Sequence, residues 1–331
     1  MMKRRILFYL LLATILLLVF SVLHLFVGQI SLSSSDFFGA VFKNGNYSNE
    51  EILMREFRIP RLLMAIVAGG GLALAGMLMQ TLFNNPLAGP YVLGINSGSS
   101  LLVALSILTG STFLGSELSL VFSAIVGAFI FGLIILLFSL SVKSHLSLLL
   151  IGLMLGSFTS ALVSILEMGA GAEQFKAFAF WGMGSLQQIE LSQIPLLILT
   201  FFVSIGASFL LVKPLNMLVI GENSAVMLGL SLRKTRILVI AVTALFTGLV
   251  TAFCGPIAFV GLAVPNITKL VFRTQQHAWL ILGNVLIGAL FLVVCDVLIQ
   301  SLESVIHLPL NALTSIIGAP FVIFILLKKV R

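Results

Sequence analysis

Long apolar runs, broken by short polar or turn-forming stretches, organise this chain. About 20 consecutive apolar residues suffice for a helix that crosses a bilayer. The first run covers residues 6–27, directly after Lys3, Arg4 and Arg5. It is long enough to span, and no small-residue cleavage site follows, so it reads as a transmembrane helix rather than a signal peptide. Residues 28–57 are polar, carry Asp36, Lys43, Glu50, Glu51, Arg55 and Glu56, and read as a large loop.

Between residues 62 and 116 there is no charged residue, a stretch too long for one helix. Asn84-Asn85-Pro86-Leu87-Ala88-Gly89-Pro90 interrupts it with turn chemistry. The pattern therefore predicts spans at 62–83 and 91–110. Further runs lie at 118–142, 146–166 and 194–212, and a long one at 237–268 is cut by Gly255-Pro256. The last two are 278–298 and 308–327. The segment 257–272 has a short apolar part closed by Lys269 and Arg273, and by itself it also reads as a re-entrant half-helix. If it crosses, the chain has about ten spans and both termini share a side.

Charge placement supports the crossing. Lys and Arg cluster at both termini and at Lys143, Lys213, Arg233, Lys234, Arg236, Lys269 and Arg273. With ten spans, these fall on one side and include most of the 18 Lys and Arg residues. The positive-inside rule makes that side the cytoplasm. Asp36, Glu50, Glu51, Glu56, Glu117, Glu167, Glu173, Glu190 and Glu303, most of the 11 acids, fall outside with Lys43, Arg55, Arg58, Arg61 and Lys176.

Composition removes whole classes. The 331 residues are 60% hydrophobic and 9% charged, against about 25% charged in an ordinary soluble domain. A soluble enzyme, a disordered chain, a secreted disulfide scaffold and a nucleic-acid binder are excluded. The net charge of +7 is accounted for by membrane orientation. Cys254 and Cys295 sit in apolar runs, so neither a disulfide framework nor a metal cluster is indicated. Gly69-Gly70-Gly71, Ala73, Ala75 and Gly76, and the pair Gly152 and Gly156, have the spacing for close helix contact.

Candidate chemistry is sparse. No Gly-x-x-x-x-Gly-Lys-Ser/Thr sequence occurs, so the chain has no P-loop of its own. Asp296 is the one acid inside an expected span, near its outer end, and its role reads as structural. The histidines 24, 145 and 277 carry no special signal, and His307 reads as a surface residue. No cofactor is expected. Without intramembrane coupling acids a proton-driven carrier is disfavoured, although a stand-alone carrier or channel for a small solute remains the competing reading.

The segment from Arg58-Ile59-Pro60-Arg61 through a Gly/Ala-rich helix, Gln80, Asn85-Pro86-Leu87-Ala88-Gly89-Pro90 and Leu93-Gly94 resembles the FecCD-type permeases. These are transmembrane subunits of type II ABC importers for iron–siderophores, haem and cobalamin. The resemblance continues at Trp181-Gly182-Met183-Gly184-Ser185-Leu186 and Gly221-Glu222-x-x-Ala225 with Leu228-Gly229-Leu230. It recurs at Gly255-Pro256-Ile257-Ala258-Phe259-Val260-Gly261-Leu262-x-x-Pro265, at Asp296, at Leu308-Pro309 and at Ile317-Gly318-Ala319-Pro320-Phe321. It implies an all-α, ten-helix permease fold over 1–331 as a single transmembrane domain.

The resemblance further implies a homodimer in the bacterial inner membrane, multi-pass with both termini cytoplasmic. Two ABC ATPase subunits would supply the energy, an external substrate-binding protein the cargo, and nucleic acid has no part. Arg58 and Arg61 match cations that meet acids on the binding protein. Gly221, Glu222, Ala225, Leu228 and Gly229 match the ATPase coupling segment, within the loop 213–236. Asn85, Pro86 and Leu87 match a turn that contributes to the cytoplasmic gate. The chain departs from the family pattern at Gln300, where an arginine is common. Asn266 and Lys269 stand where His and Arg are usual, and His307-Leu308-Pro309-Leu310-Asn311 replaces Glu-Leu-Pro-x-Gly.

Overall fold

The structure is a computed structural model describing residues 2–330, apart from Ser31, Asn44, Val92, Leu93, 111–116, Lys143, Ser144 and Gln188. Leu93 of the Leu-Gly motif and the cations Lys143 and Arg331 thus lie outside the described residues.

The described residues are helical throughout, with no strand. In chain order, α1 (Met2–Phe26) precedes the short α2 (Ser34–Phe42) and α3 (Asn49–Leu53). A π-helical turn, Met54–Arg58, leads into α4 (Ile59–Leu82). Then come α5 (Ile95–Leu108), α6 (Glu117–Ser141), α7 (His145–Gly169) and α8 (Ala172–Gly182). α9 (Ile194–Leu210) is followed by α10 (Val212–Leu218), α11 (Glu222–Met227) and α12 (Leu232–Cys254). α13 (Val260–Phe272), α14 (His277–Leu302) and α15 (Leu310–Val330) complete the chain. Among the described residues, seven helices are long and apolar enough to cross a membrane, and three shorter apolar ones begin at Ile95, Val260 and Leu310. Together they match the expected ten segments.

One expectation is corrected. The stretch 28–57 is not an open loop. Ser33 and Ser48 begin α2 and α3 through capping boxes. The Ser48 N–H donates to Glu51 Oε2 at 2.7 Å, and the Glu51 N–H donates to Ser48 Oγ at 3.2 Å. Each box satisfies helix-start N–H groups that water would otherwise have to serve. The helix from Asn49 then continues without a break into α4.

The segment 257–272 takes the shorter form that its sequence also allowed. Its helix has 13 residues, about 20 Å of rise, short of the roughly 30 Å hydrocarbon core. Residues 255–259 run irregularly before it. Their polar groups are met inside the protein. The Ile257 N–H donates to the Tyr91 hydroxyl, and the Ala258 N–H to Asn311 Oδ1 at 3.1 Å. The Ser185 N–H donates to the Cys254 carbonyl at 2.8 Å and the Asn311 N–H to the Met183 carbonyl at 3.2 Å. Non-helical backbone at membrane depth is tolerated only when buried in protein like this. The motifs around residues 181–186, 255–262 and 308–311 therefore meet at one junction.

α4 is the central helix, with nearly every residue from Met64 to Leu82 buried. It runs antiparallel to α14, and at mid-length their backbones nearly touch. A Cβ on Gly69 would overlap the Gly288 carbonyl oxygen, and one on Gly288 the Gly69 carbonyl oxygen. Gly76 lies as tightly on Gly261 of α13. Where lipid tails are as apolar as the side chains, such close packing is what holds helices together.

Candidate functional site

The central pair α4–α14 carries a polar cluster at each end. At the Arg58 end, Asp296 is 2% exposed. Arg61 grips it bidentately, Nε to Oδ2 and Nη2 to Oδ1, both at 2.8 Å. His24 Nε2–H of α1 donates to Oδ2 at 2.6 Å, and Gln300 Nε2 donates to the same oxygen at 3.2 Å. Four donors thus converge on one carboxylate, three of them on Oδ2. Arg58 joins the cluster through Nη1, which donates to Gln300 Oε1 at 2.6 Å and to the Val27 carbonyl. His24 is fully buried, and its Nδ1 has no partner among the described residues.

Asp296 is therefore a structural pivot, as its sequence position suggests, joining α1, α4 and α14. Arg61 and Arg58 are brought together but are not free cations: Arg61 has a 12%-exposed side chain and Arg58 is half-buried. Gln300 links Arg58 to Asp296. Arg61 and Asp296 also line a cavity of about 190 Å³ with Gln187, Glu303 and the exposed His307. His24 was not legible as a partner, and its one available signal was an ionisable ring within an apolar run.

At the opposite end, α4 stops in a tight turn. The Asn84 N–H donates to the Thr81 carbonyl at 3.2 Å and the Asn85 N–H to the Gln80 carbonyl at 3.1 Å. Asn84 adopts a left-handed φ of 45°, a conformation Asn tolerates better than most residues. Asn85 Oδ1 accepts the Leu87 N–H at 2.9 Å, closing an Asx turn. α13 stitches the turn in place. Asn266 Nδ2 donates to the Pro86 carbonyl at 3.0 Å, and Lys269 Nζ donates to Gln80 Oε1 at 3.3 Å. Asn266 and Lys269 thus hold this turn from α13.

A cavity of about 510 Å³ opens here, lined by Gln80, Asn84, Asn85, Pro86, Asn266 and Lys269 among others. Asn85 and Pro86 face it, whereas half-buried Leu87 is held through its backbone.

The segment 213–236 lies at the same end and folds into α10 and α11. Gly221 and Gly229 bracket α11 with φ of 109° and 88°, values that favour glycine. The Leu230 N–H bonds the Ala225 carbonyl and the Gly229 N–H the Val226 carbonyl, both at 2.9 Å, closing the helix end. Ala225 is fully buried, while Leu228 is 62% exposed. Arg236 Nη2 donates to Glu222 Oε1 at 2.9 Å, and Nη1 donates to the Ser139 carbonyl of α6. The five coupling candidates therefore form one small anchored element with an apolar edge in the open. His277 completes the cluster: it bonds Thr81 of α4 and Asn216 of α10. Sequence reasoning missed both partners.

A buried central helix, an unwound stretch before α13 and the surrounding apolar helices form the fold of an ABC importer permease. A solved inward-facing conformation of a metal-chelate type ABC transporter superposes with a TM-score of 0.85 at 30% identity, covering 97% of this chain and 99% of that one. PsaBC from Streptococcus pneumoniae shares the fold alone, with a TM-score of 0.58 at 18% identity.

The chain belongs to the FecCD transport family, whose model matches residues 16–328. It is similar to the hemin transport system permease protein HmuU of Yersinia pestis, 34% identical over 277 residues and 82% of each chain. It is equally similar to the vitamin B12 import system permease protein BtuC of Salmonella typhi, 34% identical over 333 residues, 99% of this chain and 98% of the relative.

Proposed function

We propose that this chain is the permease subunit of an ABC importer that carries a bulky iron chelate, such as a siderophore or haem, or cobalamin into the cytoplasm. The observation that carries the proposal is similarity along almost the whole chain to permeases of haem and vitamin B12. The subunit has no ATPase site and works as a homodimer with two separate ATPase subunits. Residues 1–331 act as a single permease domain in the bacterial inner membrane. Both termini, the Asn84 turn and α11 face the cytoplasm, and the Arg58 end faces outward.

Arg58 and Arg61 receive an acidic surface of the external binding protein. Arg61 spends Nε and Nη2 on Asp296, so docking there uses its remaining nitrogen. Reversing Arg61 would set a carboxylate beside Asp296 and disturb the fold, which makes Arg58→Glu the cleaner probe. It lowers the association rate with the binding protein on the order of tenfold at low salt, where charge steering is strongest. An unchanged rate removes Arg58 from docking.

α11, with Gly221, Glu222, Ala225, Leu228 and Gly229, seats on the ATPase, its exposed Leu228 edge matching an apolar groove. Asn85, Pro86 and Leu87 form part of the cytoplasmic gate, and Leu87→Ala raises leak from loaded vesicles.

The deciding experiment co-expresses the chain with its ATPase subunit and measures complex mass and ATP-dependent uptake of haem, ferric siderophore and cobalamin in proteoliposomes. A two-plus-two complex that moves one of them on ATP supports the proposal. Solute movement by the chain alone, without ATP, supports the carrier or channel reading instead.

A further inference from the structure

We propose that His277 is a positioning residue that transmits movement of the ATPase-facing segment α10–α11 to the gate turn after α4. The proposal rests on reading the chain as an ATPase-driven permease.

His277 is the first residue of α14 and is 1% exposed. Its ring joins two elements remote in sequence. Nδ1 lies 2.7 Å from Asn216 Oδ1, which also accepts the His277 backbone N–H at 3.0 Å. An amide oxygen is only an acceptor, so Nδ1 carries the proton. Nε2 is then the acceptor, and the Thr81 hydroxyl donates to it at 2.9 Å. The bonding pattern thus selects one neutral tautomer, with one partner on each side of a rigid ring.

Both partners sit one step from a proposed working part. The Thr81 carbonyl accepts the Asn84 N–H of the gate turn. On the other side, Asn216 lies in α10, where the Leu218 carbonyl accepts the Gly221 N–H at 3.0 Å and the Gly221 carbonyl accepts the Ala225 N–H at 2.9 Å. A displacement of α11 therefore reaches Asn216 through two short hydrogen-bonded turns. A planar ring without internal freedom passes it to Thr81. Coupling carried by contiguous hydrogen-bonded elements with two arrangements is the physical basis for such transmission.

The test uses the complex with its ATPase subunit in nanodiscs and needs no cargo. A fluorophore on Leu270→Cys reports the gate cavity, which Leu270 lines; Cys254 and Cys295 are buried. The wild-type background must first bind the ATPase and hydrolyse ATP. If it does neither, the permease reading itself fails, before any variant is judged.

Given that, His277→Phe keeps ring volume and loses both nitrogens. It retains the complex and ATP hydrolysis within about twofold, while the ATP-driven fluorescence change falls at least about fivefold, the lower range of measured couplings. His277→Gln keeps one donor and one acceptor and restores most of the signal. Thr81→Val, a milder change that decides the matter if His277→Phe does not fold, also lowers the signal. Added to His277→Phe it lowers it no further, because the two act through one bond. A full signal in His277→Phe or Thr81→Val overturns the proposal. So does a His277→Gln variant as silent as His277→Phe in an intact complex.

Discussion

The two ends of the α4–α14 pair use opposite chemistry. At the Arg58 end a buried carboxylate is saturated by a bidentate guanidinium, an imidazole and an amide. At the Asn84 end the bond described between the same two helices is neutral, from Thr81 to His277, beside an open polar cavity. Between them lies the Gly69–Gly288 contact, where the backbones nearly touch. Breaking a buried ion pair from one side costs about 3–5 kcal/mol, whereas a neutral hydrogen bond contributes only about 1 kcal/mol. The contrast describes a pair of helices locked at one end and released easily at the other.

Removing the lock gives the largest expected effect. Asp296→Ala leaves Arg61 buried without its carboxylate and destabilises the protein by about 3–5 kcal/mol, read as thermal unfolding in mild detergent. A loss below about 1 kcal/mol would mean that water already reaches the cluster.

Disturbing the middle comes next. Gly288→Ala forces a methyl group against the Gly69 carbonyl oxygen and costs about 1–3 kcal/mol as the helices separate. Unchanged stability would show that the two helices are not in backbone contact.

At the easy end, Thr81→Val costs about 1 kcal/mol. Combined with Asp296→Ala it adds within about 0.5 kcal/mol, as distant sites do. A larger discrepancy would join the two ends into one cooperative unit and dissolve the contrast.

The smallest effect on stability is expected at α11. Leu228→Asp changes a 62%-exposed side chain and shifts stability by less than about 0.5 kcal/mol. It nonetheless abolishes copurification with the ATPase, and retained copurification would remove Leu228 from that interface.

Much of this architecture was readable along the chain. Apolar run lengths gave the segments, and the Asn84–Pro90 turn marked the boundary between the second and third. The glycine spacing in α4 announced close contact. The helices inside 28–57 were also announced, by the Ser48-x-x-Glu51 capping pattern, but the charges there disguised them as a loop. The unwound start of the α13 segment was not readable. Residues 257–272 are apolar enough to look helical from the start, and distant partners such as Tyr91 and Asn311, bonding Ile257 and Ala258, hold the backbone open.

Of the candidate site, the sequence marked Asp296 as unusual and placed Arg58 and Arg61 near one mouth. It could not pair them. Arg61 and Asp296 stand 235 residues apart, and Thr81 and His277 196 apart. His24 and His277, unremarkable in sequence, each proved to be a buried partner.

By itself, then, the sequence determined the membrane class, the number of apolar segments, their turns and the family. These follow from local composition and periodicity, which a bilayer enforces strongly because a lipid-exposed helix must satisfy its backbone groups within its own segment. Only the tertiary structure decided which charges neutralise one another, which end of the central pair carries the ion pair, and which ring connects α10 to the end of α4. Those depend on side chains from distant helices meeting within about 3 Å, a distance that helix packing sets and that no local pattern of residues encodes.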